Sequence, residues 1–436
     1  MKTLKILAAG LLLLATASLT QAQTVIRIVA SNGDRTATQT AISKLLAPGW
    51  VFRGINGNTS SSGALNIATG ANFGAWKGTY AGQSVVIKVS FSGALAGVAA
   101  VAGNTDQRFV ATDGTGTGAV PNPLTATDPA DYEVAKADFG FSTNFQTTSP
   151  FLGEFEGVTY SPIIEEIVGV SPLGFYASPG FPGDNITTQL AQLLYTTGSL
   201  PVALFTGNFA SDVNKVVYAI GRNTDAGQRF GAYTEIGLGT STPVRVWQPA
   251  ITGQTTSSGV TYGGTANSHV LWPAETVSGI FSGLGSGGYN SGANLAPILT
   301  VTLGPDAYRG KFVEDEEVDY LYPAATAGYY IGYLTPGDAN TRVVGGVVPE
   351  ANRGKALKYN GVELTDDNVR NGKYTAWLYN RILKPLSGLT GLKLTFADAL
   401  RDQIKNVDAI AGGGLFDDST FKVQRFTDGG LVVPKD

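Results

Sequence analysis

The sequence predicts an α/β protein with largely parallel sheets, on three observations. Apolar runs such as "TVIRIVA" (24–30), "SVVIKVSF" (84–91) and "KVVYAIGR" (215–222) alternate with stretches of helical period. The junctions between them are short turns rich in Gly, Ser and Thr. With 436 residues, 43% of them hydrophobic, the chain can fill a sizeable core in two or three domains. No internal repeat of fixed period is visible.

Taken in order, residues 1–22 read as a secretory leader. Lys2 and Lys5 precede an apolar run from Ile6 to Ala15, and a small-residue stretch ends at Ala22. Cleavage after Ala22 and a periplasmic or secreted location are expected; the alternative is a retained anchor. A strand at 24–30 then leads through "SNGDR" into a helix over "TATQTAISKLL", capped by Asp34 or Thr36, with Ile42, Leu45 and Leu46 on one face. Residues 47–83, rich in Gly, Asn, Ser and Thr, read as an irregular excursion or hairpin. The strand at 84–91 enters a second glycine turn and helix, "SGALAGVAAVAG".

After a Gly/Thr/Pro-rich loop at 111–131, strands are expected at 135–143 and 165–177. "NITTQLAQLLYT" is a helix capped by Thr187 or Thr188. The strand at 215–222 ends on "GRNTDAGQR", with "FGAYTEIG" as the helix behind it. Residues 250–295 are again Gly/Ser-rich, and "SGLGSGGYNSG" reads as a flexible linker. "APILTVTL" and "TAGYYIGYL" read as strands, and "TDDNVRNGKYTAWLYNRIL" and "TFADALRDQIKN" as helices. The last carries Phe396, Leu400 and Ile404 at a spacing of four.

Composition narrows the function. The chain has no cysteine, which removes disulfides, thiolate metal sites, a cysteine nucleophile and a lipid-modified cysteine. Net charge is −4, and loss of Lys2 and Lys5 lowers it further, so no nucleic-acid footprint or polybasic membrane patch is expected. His269 is the only histidine. Without a Gly-x-Ser-x-Gly elbow or a second metal-binding histidine, it reads as a satisfied loop residue. "EDEEVD" (314–319) lacks the ligand alternation and central glycine of a calcium loop and reads as a solvated acidic face. No catalytic residues, metal or cofactor are expected.

"GRNTDAGQR" (221–229) differs because of its place at a strand end before a helix. Backbone N–H groups and one or two guanidinium forks there suit a small anion. The turns at 31–36 and 92–97 have the same character. Standing alone, the motif also fits a surface loop.

With these elements in order, the chain resembles the periplasmic phosphate-binding proteins, the soluble receptors of phosphate ABC importers. "GRNTDAGQR" resembles the family's arginine loop, and "KADFGFSTNF" its Asp-Phe-Gly segment. "VVIKVSFSGALAGVAAVAG" resembles the strand into its serine–glycine turn, and "ITTQLAQLLYTTGSLP" its Thr-x-x-Gln-Leu helix. "AGYYIGYL" and "LKYNGVELTDDNVRNGKY" resemble its closing segments. The resemblance implies a two-lobed type II periplasmic binding protein-like fold, with a mixed, largely parallel sheet in each lobe and two hinge strands. It divides the chain into residues 23–168 plus 332–436 as one lobe and 169–331 as the other. It implies a monomer that binds phosphate or a similar anion and delivers it to an ABC permease.

Carried over, the ligand-binding residues are Arg222, Gly227, Gln228, Arg229, Ser92, Gly93, Ser142, Thr143 and Thr36. Thr143 stands where the family has an aspartate, Ala94 and Ala226 where it has hydroxyls, and Gln228 where it has a threonine. Each lost hydrogen bond to a charged ligand is worth about 1.5–3 kcal/mol. Phosphate affinity is therefore expected to fall unless Arg229, Gln228, Ser142 or the 31–36 turn compensates. The alternative is a structural, surface or adhesion protein on the same scaffold, whose Gly/Thr-rich insertions at 47–83, 111–131 and 250–295 form contact surfaces.

Overall fold

The computed structural model describes residues 23–239, 242–275, 285–314, 317–411 and 415–435. The expected leader and part of the acidic run at 314–319 lie outside the described residues.

Two large mixed sheets organise the chain. Across the eight-stranded sheet the order is Ile163–Pro172, Trp377–Pro385, Phe139–Ser142, Thr24–Val29, Gln83–Ser90, Phe73–Tyr80, Val51–Gly54 and Gly57–Ser60. The six-stranded sheet runs Asn185–Ile186, Lys355–Tyr359, Gly174–Ala177, Ala327–Leu334, Lys215–Ala219 and Ser199–Pro201. In the first sheet Thr24–Val29 pairs parallel with both of its neighbours, and the outer pairs are antiparallel. In the second, Lys215–Ala219 and Ala327–Leu334 pair in parallel at register Val217 to Tyr329. Parallel pairing thus lies where the strand ends feed the candidate turns.

Helices cover both faces of the first sheet. Ala94–Ala102 is buried at all nine positions. Gly97 lets it lie close to the sheet: a Cβ there would meet the Phe141 carbonyl at 2.5 Å. On the other face, Ile42 of the Arg35–Leu45 helix and Phe396 and Leu400 of Gly391–Gln403 pack on Ile26, Ile28 and Ile87. The spacing of four at 396, 400 and 404 is a buried stripe, at 0%, 0% and 1% exposure.

Several elements differ from expectation. The run 165–177 is two strands, Ile163–Pro172 in the first sheet and Gly174–Ala177 in the second. At the crossing the Leu173 N–H donates to the Ala376 carbonyl at 2.9 Å, and the Tyr374 hydroxyl donates to the Leu173 carbonyl at 2.8 Å. Residue 332 falls within the Ala327–Leu334 strand, and the chain re-enters the first sheet at Trp377. The stretch read as a helix over 365–383 is a short Asp366–Arg370 helix followed by the strand Trp377–Pro385. "APILTVTL" is a 3-10 turn, Ala296–Thr300, and a two-residue strand; Pro297 has no N–H for a ladder. Residues 51–80 hold one hairpin and a further strand, all in the first sheet. Among the described residues no helix is long and apolar enough to cross a membrane.

The C-terminal stretch 415–435 spans both sheets. Arg425 lies over the Trp377 ring at 4.2 Å, and its Nη1 donates to Glu235 Oε2 at 2.9 Å. Asp428 accepts from the Phe145 N–H at 2.8 Å and from the Thr148 hydroxyl. The tail therefore ties the end of the Gly227–Glu235 helix to the loop after Ser142.

Candidate anion-binding site

Three strand-end turns meet between the sheets. The first follows Thr24–Val29, where Ser31 Oγ accepts from the Gly33 N–H at 3.1 Å and caps a short 3-10 turn. Asp34 makes no side-chain cap to the helix that begins at Arg35. The second turn follows Gln83–Ser90. Gly93 has φ 148°, and a Cβ there would meet the Asp225 carbonyl oxygen at 2.6 Å. Only glycine allows the two lobes so close at this point. The third follows Lys215–Ala219 and leads through Arg222 into the Gly227–Glu235 helix.

Ser31, Asn32, Gly33, Ser92, Gly93, Ala94, Arg222, Asn223, Ala226, Gly227 and Gln228 line one small cavity of about 10 Å³. That is room for a single water. The first N–H groups of the Gly227–Glu235 helix open onto this region and have no intrahelical partners. Around them, Ser92 Oγ, Asn32 Oδ1 and Asn223 Oδ1 are buried without hydrogen-bond partners.

Arg222 is 3% exposed. Its Nε donates to the Tyr289 carbonyl at 2.9 Å, Nη1 to Gln228 Oε1 at 2.6 Å and Nη2 to the Asn290 carbonyl at 3.2 Å. Burial lowers its pKa to about 10, partly offset by Tyr333 and Asp338, so it stays cationic at neutral pH. Of these three hydrogen bonds, only the one to Gln228 is with a side chain that can rotate away.

The other expected residues fall into three groups. Thr143 is buried against Gly227, where a Cβ would lie 1.8 Å from Thr143 Oγ1 and 2.7 Å from Ala94 Cβ. The two departures at 143 and 94 are thus packed together on the helix start. Ser142 Oγ accepts from the Asn144 N–H at 3.0 Å and does not line the cavity. Arg229 lies behind it: Nη1 donates to the carbonyls of Arg222 at 2.9 Å and Gly287 at 3.1 Å, bracing the loop. Thr36 is exposed and lines a larger neighbouring cleft.

That cleft, of about 400 Å³, shares Asn32, Gly33 and Gln228 with the small cavity. Arg35 and Thr36 border it from the helix after the first turn, Ser171 and Pro172 from the crossing strand, and Thr335 to Asp338 from the turn after Ala327–Leu334. Leu415 and Phe416 of the tail close one wall. Near it, Asp34 accepts from Asn380 Nδ2, whose Oδ1 in turn accepts from the Ser171 hydroxyl at 2.8 Å. Burial pushes the Asp34 carboxyl up to about 7, against the opposing effects of the Asn380 hydrogen bond and the Arg381 charge.

Sequence reasoning missed Ser31, Asn32, Gly33 and Asn223 as cavity walls, and it missed Tyr289 and Asn290 as holders of Arg222. A signal for the latter existed in "SGLGSGGYNSG". Gly288 is required there because a Cβ would lie 2.5 Å from the Arg222 carbonyl carbon and oxygen. The described part of that segment, from Gly285, packs on the arginine loop; 282–284 lie outside the described residues. His269 is on the Thr265–Leu271 strand and buried, with Nδ1 3.4 Å from the Tyr330 hydroxyl. Burial lowers its pKa to about 3, so it is neutral.

No protein-family model matches the chain, and no curated protein matches it. Solved structures do. The chain is similar to phosphate receptors of ABC transport. One, from Clostridium perfringens, is assigned as a phosphate ABC transporter substrate-binding protein and carries bound phosphate. It has a TM-score of 0.43 and 11% identity, covering 90% of this chain and 99% of that one. An ABC-type phosphate transport receptor from Vibrio cholerae gives 0.42 and 11%, covering 89% and 98%. PstS from Borrelia burgdorferi gives 0.36 and 11%, covering 91% and 99%. At these scores the likeness adds nothing to the site, which stands on its own residues.

Proposed function

We propose that the chain is an exported solute-binding receptor for a small oxyanion, phosphate or a relative. One observation carries this reading: Arg222, the start of the Gly227–Glu235 helix and the buried, partnerless Ser92 hydroxyl border one cavity between two lobes. A buried hydroxyl without a partner is costly, and an oxyanion accepts from N–H, hydroxyl and guanidinium donors alike. Ser92 and the helix N–H groups would grip the ligand, and Gln228 would release Arg222 Nη1 toward it. Thr143 would border the ligand beside Gly227, with Arg229 bracing the loop from behind. As a receptor the protein would act with an ABC permease, the partner implied by the family resemblance.

Thermal unfolding of the chain from Gln23 onward, titrated with phosphate, sulfate, arsenate and small carboxylates, tests the reading. A ligand at 100 times its Kd stabilises by about 2.7 kcal/mol. A shift with one oxyanion, absent in Ser92→Ala plus Arg222→Met, supports it; no shift with any anion overturns it.

A second reading has its own observation. Arg222 already donates to Tyr289, Asn290 and Gln228, and the cavity has room for only one water. In a structural or adhesion protein on this scaffold, that packed state would be the working state, and no anion would change its stability.

A further inference from the structure

From the shape of the cleft we infer that the natural ligand is an organic phosphate or phosphonate, with its oxyanion head at Arg222 and a short carbon body in the adjoining cleft. This rests on the oxyanion reading above and goes beyond it in the class of ligand.

A receptor for a bare ion needs one enclosed space of the ion's size. Here the small cavity has room for one water, while about 400 Å³ lies beside it, behind the shared residues Asn32, Gly33 and Gln228. That larger volume is within the range of sites that take small organic molecules, roughly 300–1,000 Å³. Gln228 stands at the junction of the two spaces. Its side chain now holds Arg222 Nη1, so its rotation would both free the guanidinium and join the spaces.

The walls of the cleft specify the body of the ligand. Pro172, Pro336, Leu415 and Phe416 offer apolar surface to carbon. Beside Pro336 on the same short helix is Asp338, a half-buried carboxylate next to Gly292 that accepts no hydrogen bond from a described residue. Burial lowers the pKa of both Arg35 and Arg222, and the Asp338 charge partly offsets this for each. A carboxylate in the wall of an apolar cleft that accepts no hydrogen bond calls for a donor, a hydroxyl or ammonium, on the ligand. Bare phosphate or sulfate presents no such group and no carbon. The class that satisfies both Arg222 and Asp338 is a small phosphate monoester or phosphonate bearing a hydroxyl or amine.

The test is isothermal titration of the chain from Gln23 onward with inorganic phosphate, methylphosphonate, glycerol 3-phosphate and phosphoethanolamine. At least one of the last two should bind ten-fold or more tightly than inorganic phosphate. The blocking variant Gly337→Phe places a ring in the cleft from a position with no atom within 4 Å of a new Cβ, so it should fold normally. It should bring the ratio of ester to phosphate affinity down toward one, and Asp338→Asn should lower it for the amine more than for methylphosphonate. Inorganic phosphate binding as tightly as every organic ligand, or a ratio unmoved by Gly337→Phe, overturns this inference and leaves the oxyanion reading standing. Binding of none of the four overturns both.

Discussion

Gly227→Ala is the sharpest perturbation of the lobe contact. The added Cβ would lie 1.8 Å from Thr143 Oγ1, 2.7 Å from Ala94 Cβ and 2.9 Å from Asn144 Oδ1, where ordinary contact starts at 3.4 Å. Rotating Thr143 does not relieve this simply, because its Cγ2 already faces Gly33 across the cavity wall. The strain must instead move the helix start or the Phe139–Ser142 strand end. Overpacking of this kind costs about 1–3 kcal/mol, and the upper end applies because three atoms are crowded at once. Thr143→Ala removes the worst offender at small cost, since its side chain makes one long hydrogen bond among the described residues, to Asn144 at 3.5 Å. The double variant should then be more stable than the sum of the singles by at least about 1 kcal/mol, whereas distant, independent sites add to within about 0.5 kcal/mol. Urea unfolding of the four proteins measures this. Additivity, or a neutral Gly227→Ala, would refute the close approach of helix, strand and turn.

Other outcomes follow from buried charge. The Asp34 carboxyl, held near 7 against 3.8 when unfolded, binds more protons in the folded state between those values. Its neutral form therefore stabilises below about pH 4, and this contribution is lost as pH rises through 7, by an amount on the order of 4 kcal/mol. Asp34→Asn should gain on the wild type in urea midpoint between pH 4 and 7; a flat difference contradicts this. Arg425 and Glu235 are a buried pair at 2% and 8% side-chain exposure. Arg425→Ala should cost about 3–5 kcal/mol by stranding Glu235, and adding Glu235→Gln should recover part of that. Equal losses in the single and double variants would show that the pair is not what fixes the tail.

Much of this architecture is readable from the residues. The strands at 24–30, 84–91 and 215–222 and the helices at 94–102, 188–197 and 391–403 announce themselves through apolar runs, glycine turns and period. The misread elements share a cause. Trp377–Pro385 is buried at eight of nine positions because it lies between two strands and under a helix, so neither a two-residue nor a helical period marks it. The crossing at Leu173 is invisible because both halves of 165–177 are equally apolar, and only the pairing to different sheets divides them. At the site, Arg222 and Gly227 were legible from context. The carbonyls of Tyr289 and Asn290 were not, since backbone acceptors leave no mark in a sequence, and only the glycines beside them record the close approach.

Calorimetric titration of the chain from Gln23 onward with the oxyanion panel, wild type beside Arg222→Met, tests the central claim most directly. A guanidinium making two charge-assisted hydrogen bonds contributes about 3 kcal/mol or more, so the variant should bind at least a hundred-fold more weakly while keeping its far-ultraviolet spectrum. Equal binding by both proteins, or by neither, would contradict an anion site built on Arg222.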